Sequence, residues 1–230
     1  MLNVDDRIVM VSGASRGIGR AVVDRLLASG FRVSAGLRDP DRLQQTERLM
    51  THRYDAEDAA SPISWVRATV ARWGGVDALV NAAGINPKVL VSDEGEDELE
   101  EMWRINVKGP LRMIRAALPH LSVCGHGRVV NLGSLSGRRV GSNVGYAMTK
   151  FAVVALTHGL RREGRAAGIR ATVVCPGYVA TDMTLNDDEI PRHEMSQPGD
   201  IARLVETVLM LPNNASLSEL LVHCQFEPML

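Results

Sequence analysis

The chain has 230 residues, 45 % of them hydrophobic, with a formal net charge of −1. That is enough apolar content for a sizeable core, and the near-neutral charge argues against broad nucleic-acid or anionic-membrane binding. Cys124, Cys175 and Cys224 are far apart and odd in number, which excludes a disulfide framework and a zinc-type spacing. The N-terminus carries Asp5 and Asp6 where a secretory signal needs bases and an apolar run, and no apolar stretch reaches the ~20 residues that span a bilayer. A soluble, cytoplasmic protein is expected.

In chain order, Arg7–Ser12 reads as a buried strand, Ile18–Ser29 as a helix and Arg32–Leu37 as a second strand. Arg42–Met50 reads as helical and His52–Asp55 as a short strand. Pro62–Trp73 is a helix with its proline in the first turn, and Ala78–Asn81 a fourth strand. A long helix covers Glu98–Leu121. Arg128–Leu132, Val144–Ala167 and Arg170–Cys175 follow as strand, helix and strand, then a helix over Asp200–Leu211 and a strand over Leu220–His223. Strands alternating with helices predict one doubly wound α/β domain over residues 1–230, Rossmann-like, with about seven parallel strands covered on both faces.

Two stretches carry chemistry. Ser12-Gly-Ala-Ser-Arg-Gly-Ile-Gly19 follows the first strand and opens a helix. Glycines allow a tight turn and a close backbone approach to a pyrophosphate, which the helix N-terminus then favours. Gly13, Ser15, Arg16, Gly17, Ile18 and Gly19 are therefore candidate cofactor residues. In the second stretch, Tyr146 and Lys150 stand four apart on a helix and share a face. A nearby cation favours the phenolate, and moving a phenol from ~10 towards ~7 takes about 4 kcal/mol. Ser134, twelve residues before Tyr146, can donate to a substrate oxygen.

Ser134, Tyr146-x-x-x-Lys150 and the Gly-rich turn together resemble the short-chain dehydrogenase/reductase family, over about Arg7 to His223. Ser12 stands where the family usually has Thr, and the G-x-x-x-G-x-G spacing replaces the commoner G-x-G-x-x-G. The resemblance implies hydride transfer between a nicotinamide cofactor and a carbonyl or alcohol, with Asn106, Ser134, Tyr146 and Lys150 as the catalytic set. It implies that Asp55 and Ala56 meet the adenine, and that Asn81-Ala82-Ala83-Gly84, with Ala82 in place of an Asn, closes the cofactor site. It also implies that Pro176, Gly177, Val179 and Thr181 hold the nicotinamide side. Asn106 lies four residues before Pro110, whose missing N–H leaves the Asn106 carbonyl without its usual partner. By resemblance that carbonyl holds a water that links Lys150 to solvent.

The second strand ends at Leu37 and is followed by Arg38, not by the acid that would hold the ribose 2′-OH of NAD. Arg38 and Arg16 are placed to pair with the 2′-phosphate of NADP, while Asp39, one residue later, keeps NAD open. The leading reading is an NADP-dependent carbonyl reductase or alcohol dehydrogenase. An NAD-linked sugar or hydroxy-acid dehydrogenase and a non-catalytic dinucleotide-binding regulator are the alternatives. Asn86–Leu90, Leu135–Asn143 and Tyr178–Glu194 are expected to line the substrate pocket, the last as a lid or a charged surface loop. No metal is expected, although Asp187, Asp188 and His193 cluster in sequence. The resemblance further implies a homodimer or homotetramer formed through the long helix and the Tyr146 helix.

Overall fold

A computed structural model of the chain describes residues 1–187 and 189–225. Seven strands form one sheet: β1 Ile8–Ser12, β2 Arg32–Leu37, β3 Leu49–Arg53, β4 Ala78–Asn81, β5 Arg128–Leu132, β6 Arg170–Pro176 and β7 Glu219–Val222. Their order is β3-β2-β1-β4-β5-β6-β7, and every neighbouring pair is parallel. The chain therefore winds one way from β1 to β3 and the other way from β4 to β7. The direction reverses between β1 and β4, where open α/β sheets form their ligand crevice.

The strands read as continuous apolar runs because both sheet faces are buried. Alternate residues sort the two layers. Val9, Val11, Ala78 and Val80 face one layer, closed by the helices α1 Gly17–Ala28 and α6 Pro198–Met210. Met10, Leu79 and Val129 face the other, closed by α2 Ser61–Trp73, α4 Gly109–Val123 and α5 Val144–Glu163. Arg7 and Arg128 are buried at the N-terminal edge of the sheet. Their guanidinium groups donate to the Leu209 and Leu211 carbonyls at the end of α6, which its own helix leaves unpaired. Among the described residues no helix is long and apolar enough to cross a membrane.

Two expected elements are corrected. Arg42–Met50 is not a helix. One 3-10 turn, Pro40–Arg42, is followed by extended chain, and Thr46 closes a turn on Leu49 through its hydroxyl and its backbone. The third strand then runs Leu49–Arg53, earlier than His52–Asp55, because Leu49 and Met50 pair with Val33 and Ser34 of β2. The long helix is also broken. A short helix α3, Asp97–Met102, passes into a π-helical stretch, Trp103–Lys108, before α4 begins. The Gly109 N–H bonds to the Arg104 carbonyl, five residues back. Pro110 cannot serve the Asn106 carbonyl, and the π-helical stretch falls where that bond is missing.

Candidate active site

The end of β1 and the end of β4 meet at the point where the winding reverses. Ser12 Oγ accepts from the Ala82 and Ala83 N–H groups at 3.1 and 3.3 Å, which joins the two strand ends. The departure from Thr thus keeps the hydroxyl's task. Gly13 has φ +68°, and a Cβ there would lie 2.7 Å from the Ala83 nitrogen. Any larger residue would force the strand ends apart. The N-terminus of α1 has no side-chain cap, so its first N–H groups are available to an anion.

A cavity of about 560 Å³ opens over this point. Gly13, Ser15, Arg16, Gly17, Ile18 and Gly19 form one wall, and Arg38, Asp55 and Ala56 the end beyond β2 and β3. Ala82, Ala83, Gly84, Ile85, Asn86 and Pro87 close it from β4, and Thr181 and Asp182 close it from the segment after β6. A dinucleotide's pyrophosphate fits the uncapped α1 terminus, so these residues suit the expected cofactor. Asn81, Pro176, Gly177 and Val179 do not line the cavity, and neither do Asn106, Ser134, Tyr146 and Lys150. Asn81 is buried in the sheet, where Nδ2 donates to Asn131 Oδ1 at 2.8 Å, and Asn131 in turn donates to Thr157 on α5. The Gly177 N–H bonds to the Val222 carbonyl, and Val179 is a core residue whose carbonyl accepts from Thr184.

The two arginines differ. Arg38 is exposed on the cavity wall and makes no hydrogen bond or ion pair among the described residues. Arg16 is paired across the cavity mouth with Asp182, Nη1 to Oδ2 at 3.1 Å. Asp39 points into its own turn. It accepts from the Asp41 N–H and lies 3.7 Å from Arg42 Nε. Asp55, two residues beyond the end of β3, accepts from the Glu57 N–H at 3.0 Å.

Beside Gly84 stand the expected chemical groups. Ser134 opens a 3-10 turn after β5, where Oγ accepts from the Ser136 N–H at 3.1 Å and stands near enough to the Tyr146 hydroxyl to favour its ionised form. Tyr146 and Lys150 project from one face of α5, with the ammonium 5.3 Å from the phenol ring centroid. Lys150 Nζ donates to the Leu132 carbonyl at 2.9 Å. A Cβ built on Gly84 would sit 3.8 Å from Nζ and 3.2 Å from Asn106 Oδ1, so glycine is what brings the cavity wall against this group. Burial pushes the Tyr146 phenol up to about 12 against the opposing effect of the Ser134 hydroxyl, and pushes the Lys150 ammonium down to about 8. The expected lowering of the phenol called on Lys150 together with a positively charged nicotinamide ring; in the chain alone desolvation is the largest influence.

Asn106 has a larger part than its carbonyl. Its side chain is buried and grips Ile85 on both sides: Oδ1 accepts from the Ile85 N–H and Nδ2 donates to the Ile85 carbonyl, each at 2.9 Å. Nδ2 also reaches Thr149 Oγ1 at 3.2 Å. Sequence reasoning missed this clip, and missed Asn143, whose amide caps α5 by accepting from the Tyr146 N–H at 3.1 Å. An Asn at the start of a helix was the available signal. The segment expected as a lid or a charged surface loop is largely exposed and is anchored at Ile190, which is buried with Met195 and Cys224, and at Tyr178, whose hydroxyl donates to Glu189 at 2.5 Å. Asp188 lies outside the described residues.

Asp77, Cys124 and His126 bring three metal-type donor atoms within 4.8 Å of one another at the opposite end of the sheet, a grouping not foreseen from spacing. Burial and then the Arg7 charge hold His126 below its usual range, and Arg128 acts in the same direction. The same two guanidinium groups oppose a further cation there.

A family profile described as short chain dehydrogenase matches residues 7–190. Agropine synthesis reductase of Rhizobium rhizogenes is 41 % identical over 227 residues, covering 96 % of this chain and 53 % of that protein. The chain thus spans about half the length of that relative. An uncharacterized oxidoreductase of Staphylococcus saprophyticus is 32 % identical, covering 96 % of this chain and 97 % of the other. Among solved structures, an alcohol dehydrogenase from Thermococcus sibiricus complexed with 5-hydroxy-NADP superposes with a TM-score of 0.88 at 27 % identity, covering 98 % of this chain and 100 % of that one.

Proposed function

The chain belongs to the short chain dehydrogenase family, whose members act as oxidoreductases on CH–OH groups, and on that premise we propose that it moves hydride between NADP(H) and a ketone or aldehyde. The observation that carries this reading is the convergence of Ser134 and Lys150 on Tyr146, with Lys150 behind Gly84, a residue that lines a cavity whose far end offers Arg38.

The dinucleotide, when bound, supplies or accepts the hydride at the substrate carbon. The protein's own groups manage the oxygen. Ser134 and Tyr146 donate hydrogen bonds to it, which matters most as negative charge develops. Tyr146, a neutral phenol at pH 7 whose value burial raises further, delivers the proton in reduction and takes it back in oxidation. Lys150 spends one N–H on Leu132 and has two more for a ribose hydroxyl and a water. The π turn at Asn106 suits the proton relay expected from the sequence, with the Asn106 carbonyl holding that water.

Arg38 favours NADP over NAD, because it is free to pair with a 2′-phosphate while Asp39 is occupied with Asp41 and Arg42. Adenine would rest at Asp55 and Ala56, and the carboxamide end near Thr181. The relative's name, a reductase, favours reduction as the working direction. Exposed Met148 and Phe151 on α5 are apolar surface suited to pairing two copies through that helix, so we propose a homo-oligomer. Loss of absorbance at 340 nm with a panel of ketones and aldehydes, run in parallel with NADPH and NADH, tests the assignment. Turnover with NADPH in clear preference supports it. Binding of NADPH without turnover of any carbonyl, or preference for NADH, refutes the respective part.

A further inference from the structure

We infer that Asn143 is a positioning residue that fixes the substrate-side wall relative to Tyr146; the inference rests on the reading of Tyr146 as the acid/base. The Asn143 amide has two donor hydrogens and two acceptor lone pairs, and all four are engaged. Oδ1 accepts from the Tyr146 N–H and the Val89 N–H, each at 3.1 Å. Nδ2 donates to Asn86 Oδ1 and to the Pro87 carbonyl, each at 2.8 Å. One side chain therefore joins the first turn of α5 to three residues of the segment that leaves β4.

That segment has few other holds. Asn106 grips its first residue, Ile85, and the Gly145 N–H reaches the Val89 carbonyl at 3.3 Å. The approach at Gly145 is close: a Cβ there would be 2.7 Å from Val89 Cβ. Asn86 and Pro87 line the cavity, whereas Leu90 and Val91 are exposed. Asn143 thus sits where the wall either stays against the catalytic helix or swings out with its exposed end. A helix cap alone needs only the bond to Tyr146; the other three bonds serve the wall. An amide supplies both roles, while a serine hydroxyl supplies the cap and cannot span the wall.

Asn143→Ser separates the two. Hydrogen–deuterium exchange of residues 86–89 and of α5 is measured in wild type, Asn143→Ser and Asn143→Ala, with melting temperature as a check on folding. The expected result for Asn143→Ser is a near-native melting temperature, unchanged protection along α5 and exchange at 86–89 faster by at least about tenfold. With a carbonyl substrate identified in the panel above, kcat/KM falls by roughly 10- to 100-fold while the NADPH dissociation constant moves less than about twofold. Asn143→Asp, which keeps both acceptor bonds and loses both donor bonds, falls between wild type and serine. Native exchange at 86–89 in Asn143→Ser would overturn the inference and leave Asn143 as a helix cap. Tyr146→Phe serves as the control: if it retains turnover, the acid/base reading fails, while the exchange data still decide what Asn143 holds.

Discussion

Lys150 and Tyr146 share a face of α5, yet the ammonium lies 5.3 Å from the phenol ring centroid and spends its hydrogen bond on the Leu132 carbonyl at 2.9 Å. The ammonium therefore faces the phenol ring while its hydrogen bond goes to the backbone of β5. Burial holds the phenol up to about 12 and the ammonium down to about 8. Both shifts oppose charge, as they should where water is excluded.

The Lys150 shift has a consequence for stability. Its folded value, about 8, lies below the ordinary 10.5, so between those values the unfolded chain binds more protons than the folded one. Stability from this group therefore rises with pH across that window, and its cost is fully present below pH 8. At about 1.36 kcal/mol per unit the full swing is about 3 kcal/mol. Lys150→Met removes the titration and also leaves the Leu132 carbonyl unpaired, which adds a constant offset. The difference in unfolding free energy between variant and wild type should thus favour the variant most below pH 8 and decline up to about 10.5. Urea unfolding at a series of pH values checks this, and a flat difference would contradict it. Tyr146 has a raised value, so its stabilisation holds below pH 10 and is lost towards about 12; it is present in both proteins and largely cancels in the difference.

Tyr146→Phe should lower kcat by about 10²- to 10⁴-fold, the usual worth of a positioned acid/base group. The ring stays, so packing around Ser134 is retained, and the dissociation constant for NADPH should change by less than about threefold. Pre-steady-state hydride transfer and fluorescence titration of the cofactor measure the two quantities separately.

Arg38→Ala should weaken NADPH binding by roughly 10- to 100-fold, the loss of one charge-assisted contact worth about 1.5–3 kcal/mol. NADH binding should scarcely move. Asp39→Ala should leave both unchanged, because that carboxylate already serves the Asp41 N–H and Arg42. Equal losses for both cofactors in Arg38→Ala would remove the 2′-phosphate contact from the account. Raised salt should reduce the advantage of NADPH, since the arginine is exposed.

The sheet was legible from sequence because a buried parallel strand is a short apolar run, and β2 and β4 fall on the residues expected. The place of the Gly-rich turn between β1 and α1, and the face that Tyr146 and Lys150 share on α5, were legible for a different reason: both follow from residue type at fixed spacing. The helix expected over Arg42–Met50 failed because pairing with β2 claimed Leu49 and Met50, a demand that no local pattern contains. The break at Trp103–Lys108 was half legible. Pro110 announced a missing bond, but not that a π turn would fall there. The clips made by Asn106 and Asn143 join residues 21 and 54 or more positions apart, and composition gives no hint of which distant backbone an amide will meet.

Asn106 provides the sharpest departure from the sequence reading. If only its carbonyl mattered, Asn106→Ala would spare activity. The side chain instead satisfies both the N–H and the carbonyl of Ile85 and reaches Thr149, whose hydroxyl donates to the Tyr146 carbonyl at 2.8 Å. Removing it strands two backbone groups beside a buried site, at about 1–3 kcal/mol each where water cannot replace the bonds. Asn106→Ala should therefore lower the melting temperature and reduce kcat/KM, with faster amide exchange at Ile85. Asn106→Asp keeps the acceptor for the Ile85 N–H and loses the donor to its carbonyl, so it should lie nearer alanine than wild type. Thermal unfolding and exchange measured on both variants decide the matter: an alanine variant with native stability and native exchange at Ile85 would return the whole role to the carbonyl.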